Sequence, residues 1–132
     1  METIGIGTDL VENERIAASI AKFGERFLQR VFCEGEIAYC QSMRHSAPHF
    51  AARFAAKEAV SKAFGCGLGS LLGWRDVEVV RAESGAPSII LHGAGLDLAA
   101  ARGVNRIFVS LSHTGNYALA HVLLAGCGTL FR

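Results

Sequence analysis

Apolar residues recur along this chain at helical spacings in some stretches and alternate with polar residues in others. Across residues 13–32 they stand three or four positions apart, which predicts an amphipathic helix broken or bent near Gly24. Residues 33–43 indicate a second, shorter helix. The clearest strand signal is the alternation across residues 105–125, which breaks at 114–116 and therefore predicts a hairpin of two long strands.

The remaining segments extend this alternation of helices and strands. Residues 3–7 indicate a short strand that ends near Asp9, and residues 74–91 indicate two strands joined by a turn at 84–87. Residues 93–103 predict a helix that ends on its final glycine. The order β-α-α-α-β-β-α-β-β predicts an α+β fold, in which helices pack on a mostly antiparallel sheet.

The most informative helix is predicted over residues 50–64, FAARFAAKEAVSKAF. At about 100° per residue, five of its six alanines, Ala52, Ala55, Ala56, Ala59 and Ala63, fall on one side within an arc of about 100°, and its phenylalanines fall on the opposite side. Four charges remain on the flanks, Arg53 with Lys57 on one and Glu58 with Lys62 on the other. A helix packed on both sides leaves such charges partly desolvated, so each needs a partner.

Each charged candidate has an ordinary structural explanation beside a chemical one. Glu58 and Lys62 match a surface ion pair that contributes about 0.2–0.5 kcal/mol, and they equally suit the handling of a divalent cation and a phosphate. Asp9 suits a helix cap or a turn, but with Glu58 it also offers the two hard oxygen ligands that Mg²⁺ commonly uses. His113, at the end of a predicted strand, suits a structural or a functional role.

Two other motifs carry less information. The stretch GCGLG, residues 65–69, follows a helix and lacks the pattern of a nucleotide-binding loop, so it indicates the end of that helix or a loop along which a phosphate or pantetheine passes. His45 and His49 would face one another on a helix, but Pro48 argues against a helix there. They are therefore not expected to bind a metal.

Composition narrows the class of protein. The chain has 132 residues, of which 51% are hydrophobic and 19% are charged. So few charges for a small chain favour contact between subunits. The net charge of +1 offers no basic field for nucleic acid.

The longest apolar stretch, 117–127, is too short for a membrane span, and no signal peptide is recognised. Four cysteines without metal or redox spacing indicate a cytoplasmic protein.

Three stretches, in this order along the chain, resemble the bacterial holo-acyl-carrier-protein synthases, the small single-repeat branch of the 4′-phosphopantetheinyl transferases. They are GIGTDLVENERI, FAARFAAKEAVSKAFGCG and SLSHTGNYALAHVLL. The resemblance covers nearly the whole chain. It implies a single domain over residues 1–132 with the fold of that family, assembled as a homotrimer whose active sites lie between subunits.

The resemblance also implies an activity. Such enzymes depend on Mg²⁺ and transfer the 4′-phosphopantetheine group of coenzyme A to a serine of apo-acyl carrier protein, in support of fatty acid biosynthesis. Adenosine 3′,5′-bisphosphate is the second product. By motif, Asp9 and Glu58 would hold the metal and Lys62 would lie at the leaving group, and all three would be catalytic. The serine proton would pass to one carboxylate or to a metal-bound water.

Further residues carry implied roles in substrate binding. The coenzyme A phosphates and arm are assigned to Arg53, Lys57, Gly65, His113 and Thr114.

The acidic acyl carrier protein is expected to dock on the first helix. Ion pairs with its basic residues would steer the encounter. The docking residues are Arg15, Lys22 and Arg26.

The last hairpin is expected to supply contacts between subunits. The predicted interface residues are Phe108, Val109, Leu119 and Val122. Two alternatives to the transferase stay open at the level of sequence, namely a coenzyme A or nucleotide-binding protein without catalysis and a different phosphate-handling enzyme.

Overall fold

The computed structural model describes residues 1–128, so the last four residues of the predicted domain lie outside the described residues. In this part of the chain the strands are β1 (Glu2–Glu12), β2 (Val77–Arg81), β3 (Pro87–Leu91), β4 (Val104–His113) and β5 (Tyr117–Gly126). The α-helices are α1 (Asn13–Phe23), α2 (Glu25–Val31), α3 (Glu34–Gln41), α4 (Ser46–Phe64) and α5 (Ala94–Arg102), and a 3₁₀ turn spans Trp74–Asp76. The order matches the predicted alternation, with the first predicted helix divided into α1 and α2.

The strands form two antiparallel sheets. In the larger sheet β5 lies between β1 and β4, and β2 pairs with β3 in a separate hairpin. Both predicted hairpins are therefore present, and the turn of the longer one falls at 114–116 as the sequence indicated. The prediction of an α+β fold with helices on antiparallel sheet is confirmed.

α4 lies across the inner face of the larger sheet, in contact with the backbone of β1. A Cβ atom on Gly7 would lie 2.0 Å from the carbonyl oxygen of Ala59, and one on Gly5 would lie 2.0 Å from that of Ala63. No side chain fits at such distances. The glycines of the strand and the alanines of the helix thus make the contact together, which confirms that the alanine side of this helix approaches a sheet closely.

The helix boundaries confirm one prediction and correct another. Gly24 separates α1 from α2 with φ of 57°, a left-handed conformation that glycine adopts without steric cost. α4 begins at Ser46, so residues that the sequence suggested were a loop form its first turn. Pro48 lies in that turn, where its missing N–H has no helical partner to lose. No helix in residues 1–128 has the length and apolarity needed to cross a membrane.

No element within residues 1–128 covers the outer face of the larger sheet. Ile6, Phe108 and Leu123 form one cross-strand row on this face, and Leu10 pairs with Leu119 in another. Ile6 and Leu10 are each 61% exposed. An exposed apolar face of this kind is typical of a surface for association.

The predicted interface residues divide between the two faces of the sheet. Phe108 and Leu119 lie on the outer, exposed face. Val122 is fully buried and pairs with Gly7 and Val109 on the inner face, under α4. The prediction that Val122 contacts a neighbouring subunit is therefore wrong, because alternate residues of a strand point to opposite faces. Val109 is only partly buried on this face, and its contact with a neighbouring subunit stays a prediction.

Candidate active site

The three residues predicted to be catalytic line one cleft of about 490 Å³ between the end of β1, α1 and α4. Asp9 comes from β1, whereas Glu58 and Lys62 stand one turn apart on α4. Because β1 crosses α4 at the glycines that precede Asp9, the strand brings this carboxylate to the flank of the helix that carries the other two. Arg15 of α1 and the ring of Phe54 complete opposite parts of the lining.

Lys62 forms its ion pair across elements and not along its own helix. Its Nζ donates to Oδ1 of Asp9 at 2.9 Å and to the carbonyl oxygen of Thr8 at 3.1 Å. The side chain of Lys62 is 53% exposed, so water screens much of this attraction. The hydrogen bond to Asp9 raises the pKa of the Lys62 ammonium, which keeps it charged. The alternative of a surface pair between Glu58 and Lys62 does not describe the structure.

Glu58 is left without the partner that its position on α4 suggested. Burial raises the pKa of its carboxyl group, the nearby Asp9 carboxylate raises it further, and Lys62 partly opposes both effects. The cleft is lined by three carboxylates, those of Asp9, Glu12 and Glu58. Among residues 1–128, Asp9 is paired with a cation and Glu58 is not. This arrangement favours the uptake of a proton or a metal cation by Glu58.

Asp9 and Glu58 also fit the requirements of Mg²⁺. This ion commonly takes one or two protein carboxylates and completes its octahedron with water and phosphate oxygens. Residues 1–128 contain no cluster of three or more His, Cys, Asp and Glu side chains that could hold a metal. Two hard oxygen donors in an open cleft, one with a raised pKa, suit a cation shared with the phosphates of a ligand.

A second, basic pocket of about 180 Å³ lies on the other flank of α4. It contains Arg53 and His113, both predicted to bind coenzyme A, together with Tyr39, His49 and Arg81. The Arg53 guanidinium lies 4.4 Å from the centre of the Tyr39 ring and that of Arg81 lies 5.4 Å from it. Two cations held beside one aromatic ring are an arrangement that suits the binding of a phosphate group.

Arg53 is the most enclosed member of this basic cluster. It is 5% exposed, and it donates one hydrogen bond to the carbonyl oxygen of His49 at 3.2 Å. Its Nε is buried without a partner among the described residues. Burial lowers the pKa of His49, and the neighbouring Arg53, His113 and Arg81 lower it further. The pocket is therefore a local positive field in a chain of nearly neutral net charge.

Comparison with models of protein families assigns the chain to a superfamily. The model described as the 4′-phosphopantetheinyl transferase superfamily matches residues 5–122. The chain belongs to this superfamily. Within it, the holo-[acyl-carrier-protein] synthase of Koribacter versatilis is 47% identical over 121 residues, which are 92% of this chain and 97% of that relative.

Solved structures of the superfamily share the fold. The holo-[acyl-carrier-protein] synthase of Neisseria meningitidis aligns with a TM-score of 0.88 at 30% identity, covering 94% of this chain and 99% of the other. The Helicobacter pylori synthase, solved in complex with coenzyme A, aligns with a TM-score of 0.81 at 31% identity, covering 91% and 99%. The resemblance recognised in the sequence is confirmed.

The structure gives Lys57 a different place from the one expected in this superfamily. The sequence assigned its ammonium to coenzyme A phosphates, but Lys57 is fully buried beneath Phe32 and pairs with Glu36 at 2.8 Å. It also donates to the carbonyl oxygens of Trp74 and Val77. With three protons and three acceptors, it has no donor left for a ligand. The predicted contact with phosphate is wrong.

Gly65 and Thr114 stand at the ends of elements, outside both pockets. Gly65 ends α4 with φ of 73°, so it stops the helix as the sequence indicated. Thr114 is exposed at the β4–β5 turn, where its Oγ1 accepts the amides of Asn116 and Tyr117 at 3.2 and 3.1 Å. Neither residue lines the cleft or the basic pocket, and their contact with coenzyme A stays a prediction.

The predicted docking residues follow α1 and its junction with α2. Arg15 opens onto the catalytic cleft. Arg26 lines a groove with Phe23, Phe27 and Arg30, and Lys22 lies 5.2 Å from the centre of the Phe23 ring. The basic residues thus form a surface that begins at the cleft and includes exposed aromatic groups.

Sequence reasoning missed three members of the basic cluster. His49 was set aside because Pro48 argued against a helix, and Tyr39 and Arg81 belong to no recognised motif. Arg81 ends the strand that precedes the predicted turn, and only the packing of β2 beside α3 brings it to the Tyr39 hydroxyl group. A basic residue at the end of that strand is the one signal that the sequence offered.

Proposed function

We propose that this chain transfers the 4′-phosphopantetheine group of coenzyme A to a serine of apo-acyl carrier protein. The single observation that carries the proposal is the convergence of Asp9, Glu58 and Lys62 in one cleft. Such a set of charges suits the displacement of a phosphate group, and the chain is 47% identical to a holo-[acyl-carrier-protein] synthase. The products are holo-acyl carrier protein and adenosine 3′,5′-bisphosphate. We assign the activity to a single domain over residues 1–132.

The chemistry is an attack on the diphosphate of coenzyme A. The serine oxygen forms a bond to the phosphorus that carries pantetheine, and the bond from that phosphorus to the bridging oxygen breaks. Charge then develops on the non-bridging and leaving oxygens, and a cation placed there stabilises the transition state. We assign this role to the Lys62 ammonium, which its hydrogen bond to Asp9 keeps charged. The leaving group departs as adenosine 3′,5′-bisphosphate.

Asp9 and Glu58 are the proposed ligands of Mg²⁺. When bound, this ion would neutralise charge on the diphosphate oxygens. Asp9 keeps its pair with Lys62, and one of the two carboxylates receives the serine proton directly or through water. Thiols such as those of Cys33, Cys40 and Cys66 persist in a reducing compartment, and we propose a cytoplasmic protein.

We propose that the basic cluster around Arg53 binds the phosphates of the nucleotide part of coenzyme A. Arg53 and Glu58 stand five positions apart on α4, so they project about 140° apart around the helix. The two pockets of one subunit have no lining residue in common. One coenzyme A molecule would therefore join the cleft of one subunit to the basic cluster of its neighbour.

A homotrimer accounts for that arrangement. The exposed apolar face of the larger sheet supports close contact between copies of the chain. A ring of three uses the same pair of surfaces at each contact and leaves none unfilled. Active sites between subunits would then place Arg53 and Glu58 of adjacent copies on one ligand.

The acidic carrier protein is proposed to dock on the basic surface of α1 and α2. Charge complementarity between two protein surfaces acts mainly on their rate of association and weakens with salt.

Reversal of charge in Arg26→Glu should raise KM for the carrier on the order of tenfold and leave KM for coenzyme A unchanged. The matched control is Arg44→Glu, which reverses an exposed charge outside these helices. Equal KM values in both variants would refute this docking site.

The decisive experiment follows the mass of the carrier. Apo-acyl carrier protein is incubated with the purified protein, coenzyme A and Mg²⁺, and intact-protein mass spectrometry should show the gain of one phosphopantetheine group. EDTA should abolish the gain, and excess Mg²⁺ should restore it. No gain with several apo-carriers, together with tight binding of coenzyme A, would replace the transferase by a binding protein.

A further inference from the structure

The buried ion pair between Lys57 and Glu36 takes no part in the proposed transfer, although its cost to the fold is high. Both side chains are fully buried, and Nζ lies 2.8 Å from Oε1. The Oε1 atom also accepts the amide of Cys33 at 2.8 Å, and Oε2 accepts the amide of Val79 at 2.8 Å. Together with the two carbonyl partners of Lys57, these bonds satisfy the whole pair.

Stability alone does not explain such a pair. Removing two charges from water is expensive, and well-packed apolar residues of similar volume are often equally stabilising. An ion pair differs from apolar packing because its hydrogen bonds are directional. They are satisfied in only one relative position of the elements that the pair joins. Here it joins three elements, namely α3, α4 and the segment that runs from the 3₁₀ turn into β2.

Each of these three elements also carries one member of the Arg53–Tyr39–Arg81 stack. Tyr39 follows Glu36 by three residues on α3, and Arg53 precedes Lys57 by four residues on α4. On β2, Val79, whose amide donates to Glu36, precedes Arg81 by two residues. Residues three or four apart on a helix, or two apart on a strand, share a face. The ion pair and the stack are thus adjacent layers across the same three elements.

We propose that the Glu36–Lys57 pair is a positioning device for the basic cluster. It sets the spacing of α3, α4 and β2, and so holds the Arg53 and Arg81 guanidinium groups beside the Tyr39 ring in the geometry that receives a phosphate. The pair touches no substrate and acts through Arg53. The Nε atom of Arg53 is buried without a hydrogen-bond partner among residues 1–128, so the side chain depends on the packing around it for its position. The inference rests on the proposed function where it names coenzyme A as the source of the phosphate.

The test replaces both charges at once. In Glu36→Gln/Lys57→Met no buried charge remains unpaired, and side-chain volume is largely retained, so that folding is favoured. The matched control is Val60→Ala, which introduces a defect at a fully buried apolar position of the same helix. Thermal unfolding reports the stability of each variant, and the fluorescence of Trp74, the single tryptophan of the chain, reports the segment bound by Lys57.

A first readout requires no activity. Phenylglyoxal modifies accessible arginines, and peptide mass spectrometry locates the product. The rate of modification at Arg53 should rise on the order of tenfold in the double variant, because a buried group reacts only through local opening. In Val60→Ala it should stay close to the wild-type rate. An unchanged rate in the double variant, or the same rise in the control, would overturn the inference.

A second readout separates positioning from a general loss of structure. In the double variant KM for coenzyme A should rise on the order of tenfold, while kcat stays within about twofold, since the cleft is intact. Adding Arg53→Ala should then raise KM less than it does in the wild-type background. A lower kcat at unchanged KM would overturn the proposal. If the wild-type protein transfers nothing, the proposed function fails, and the modification of Arg53 decides the positioning role by itself.

Discussion

The carboxyl group of Glu58 occupies a place that disfavours its own charge. Burial and the Asp9 carboxylate both raise its pKa, and the one ammonium nearby is bonded to Asp9. A fold selected for stability alone would pair or remove such a group. The same electrostatic cost suits Glu58 to receive a cation or a proton, so the proposed function and stability oppose one another at this residue.

Substitution of Glu58 by Gln should therefore stabilise the protein in the absence of metal. Because the folded pKa lies above the unfolded value, the folded state retains a proton that the unfolded state loses, and stability falls as pH rises through this window. Thermal unfolding in EDTA should show a higher Tm for Glu58→Gln than for wild type above the window. The difference should vanish below the ordinary glutamate pKa of about 4.3. Glu14→Gln, at an exposed position of α1, is the control, and a Tm difference independent of pH would contradict the prediction.

The same substitution should have the opposite effect on catalysis. Loss of the carboxylate should lower kcat on the order of 10²–10⁴-fold, as expected for a proton acceptor or metal ligand. Mg²⁺ should raise the Tm of wild type and leave that of Glu58→Gln unchanged. A variant that responds to Mg²⁺ and turns over like wild type would show that Glu58 has neither role.

Between elements, the contact of α4 with β1 places Asp9 and Glu58, the proposed catalytic carboxylates, in one cleft. Gly5 and Gly7 have no side chains, so α4 packs directly against the backbone of β1. Asp9 lies two residues beyond Gly7. Any side chain at Gly7 would separate the two elements and carry Asp9 away from Lys62. The strand motif thus controls the distance between a carboxylate on β1 and the charges on α4.

Gly7→Ala should show this control directly. The new Cβ would lie 2.0 Å from the carbonyl oxygen of Ala59, so the elements must shift, at a cost of about 1–3 kcal/mol or more in the free energy of unfolding. Gly67→Ala is the matched control, since no atom lies within 4 Å of a Cβ there. Denaturant unfolding should separate the two variants, and kcat should fall only in Gly7→Ala. Equal stability would mean that the contact is looser than the structure indicates.

At the scale of the whole molecule, the two functional pockets point away from one another. The cleft with Glu58 and the basic cluster with Arg53 lie on opposite flanks of α4. The outer face of the larger sheet exposes apolar side chains on all three strands. Both features have one explanation if copies of the chain associate and each ligand is shared between neighbours.

Mixing two inactive variants tests this explanation. Glu58→Gln keeps the basic cluster, and Arg53→Ala keeps the cleft. After dissociation and reassembly of an equal mixture, about a quarter of shared sites should combine an intact cleft with an intact cluster by random assortment. Activity at limiting coenzyme A should recover to about that fraction of wild type. If each site lies within one subunit, mixing restores nothing, and a Leu10→Glu monomer with full activity would lead to the same conclusion.

The comparison of sequence and structure separates local from long-range information. The boundaries of most elements followed from periodicity and from glycines such as Gly24 and Gly103, because these signals act over a few residues. Motif resemblance identified the family and selected Asp9, Glu58 and Lys62, which meet in one cleft. The sequence by itself therefore determined the fold class, the family and the principal candidates for catalysis.

Only the tertiary structure decided which partner each charge has. Helical spacing paired Glu58 with Lys62, but a strand from the N-terminus brings Asp9 to that ammonium. The sequence predicted that Lys57 binds a ligand, but α3 supplies Glu36 as its partner, and the Lys57 side chain is completely buried. A side chain's burial and partners depend on elements distant in sequence, and their packing appears in no local pattern. The types of charge could thus be read from the chain, whereas their assignment to substrate or to scaffold required the fold.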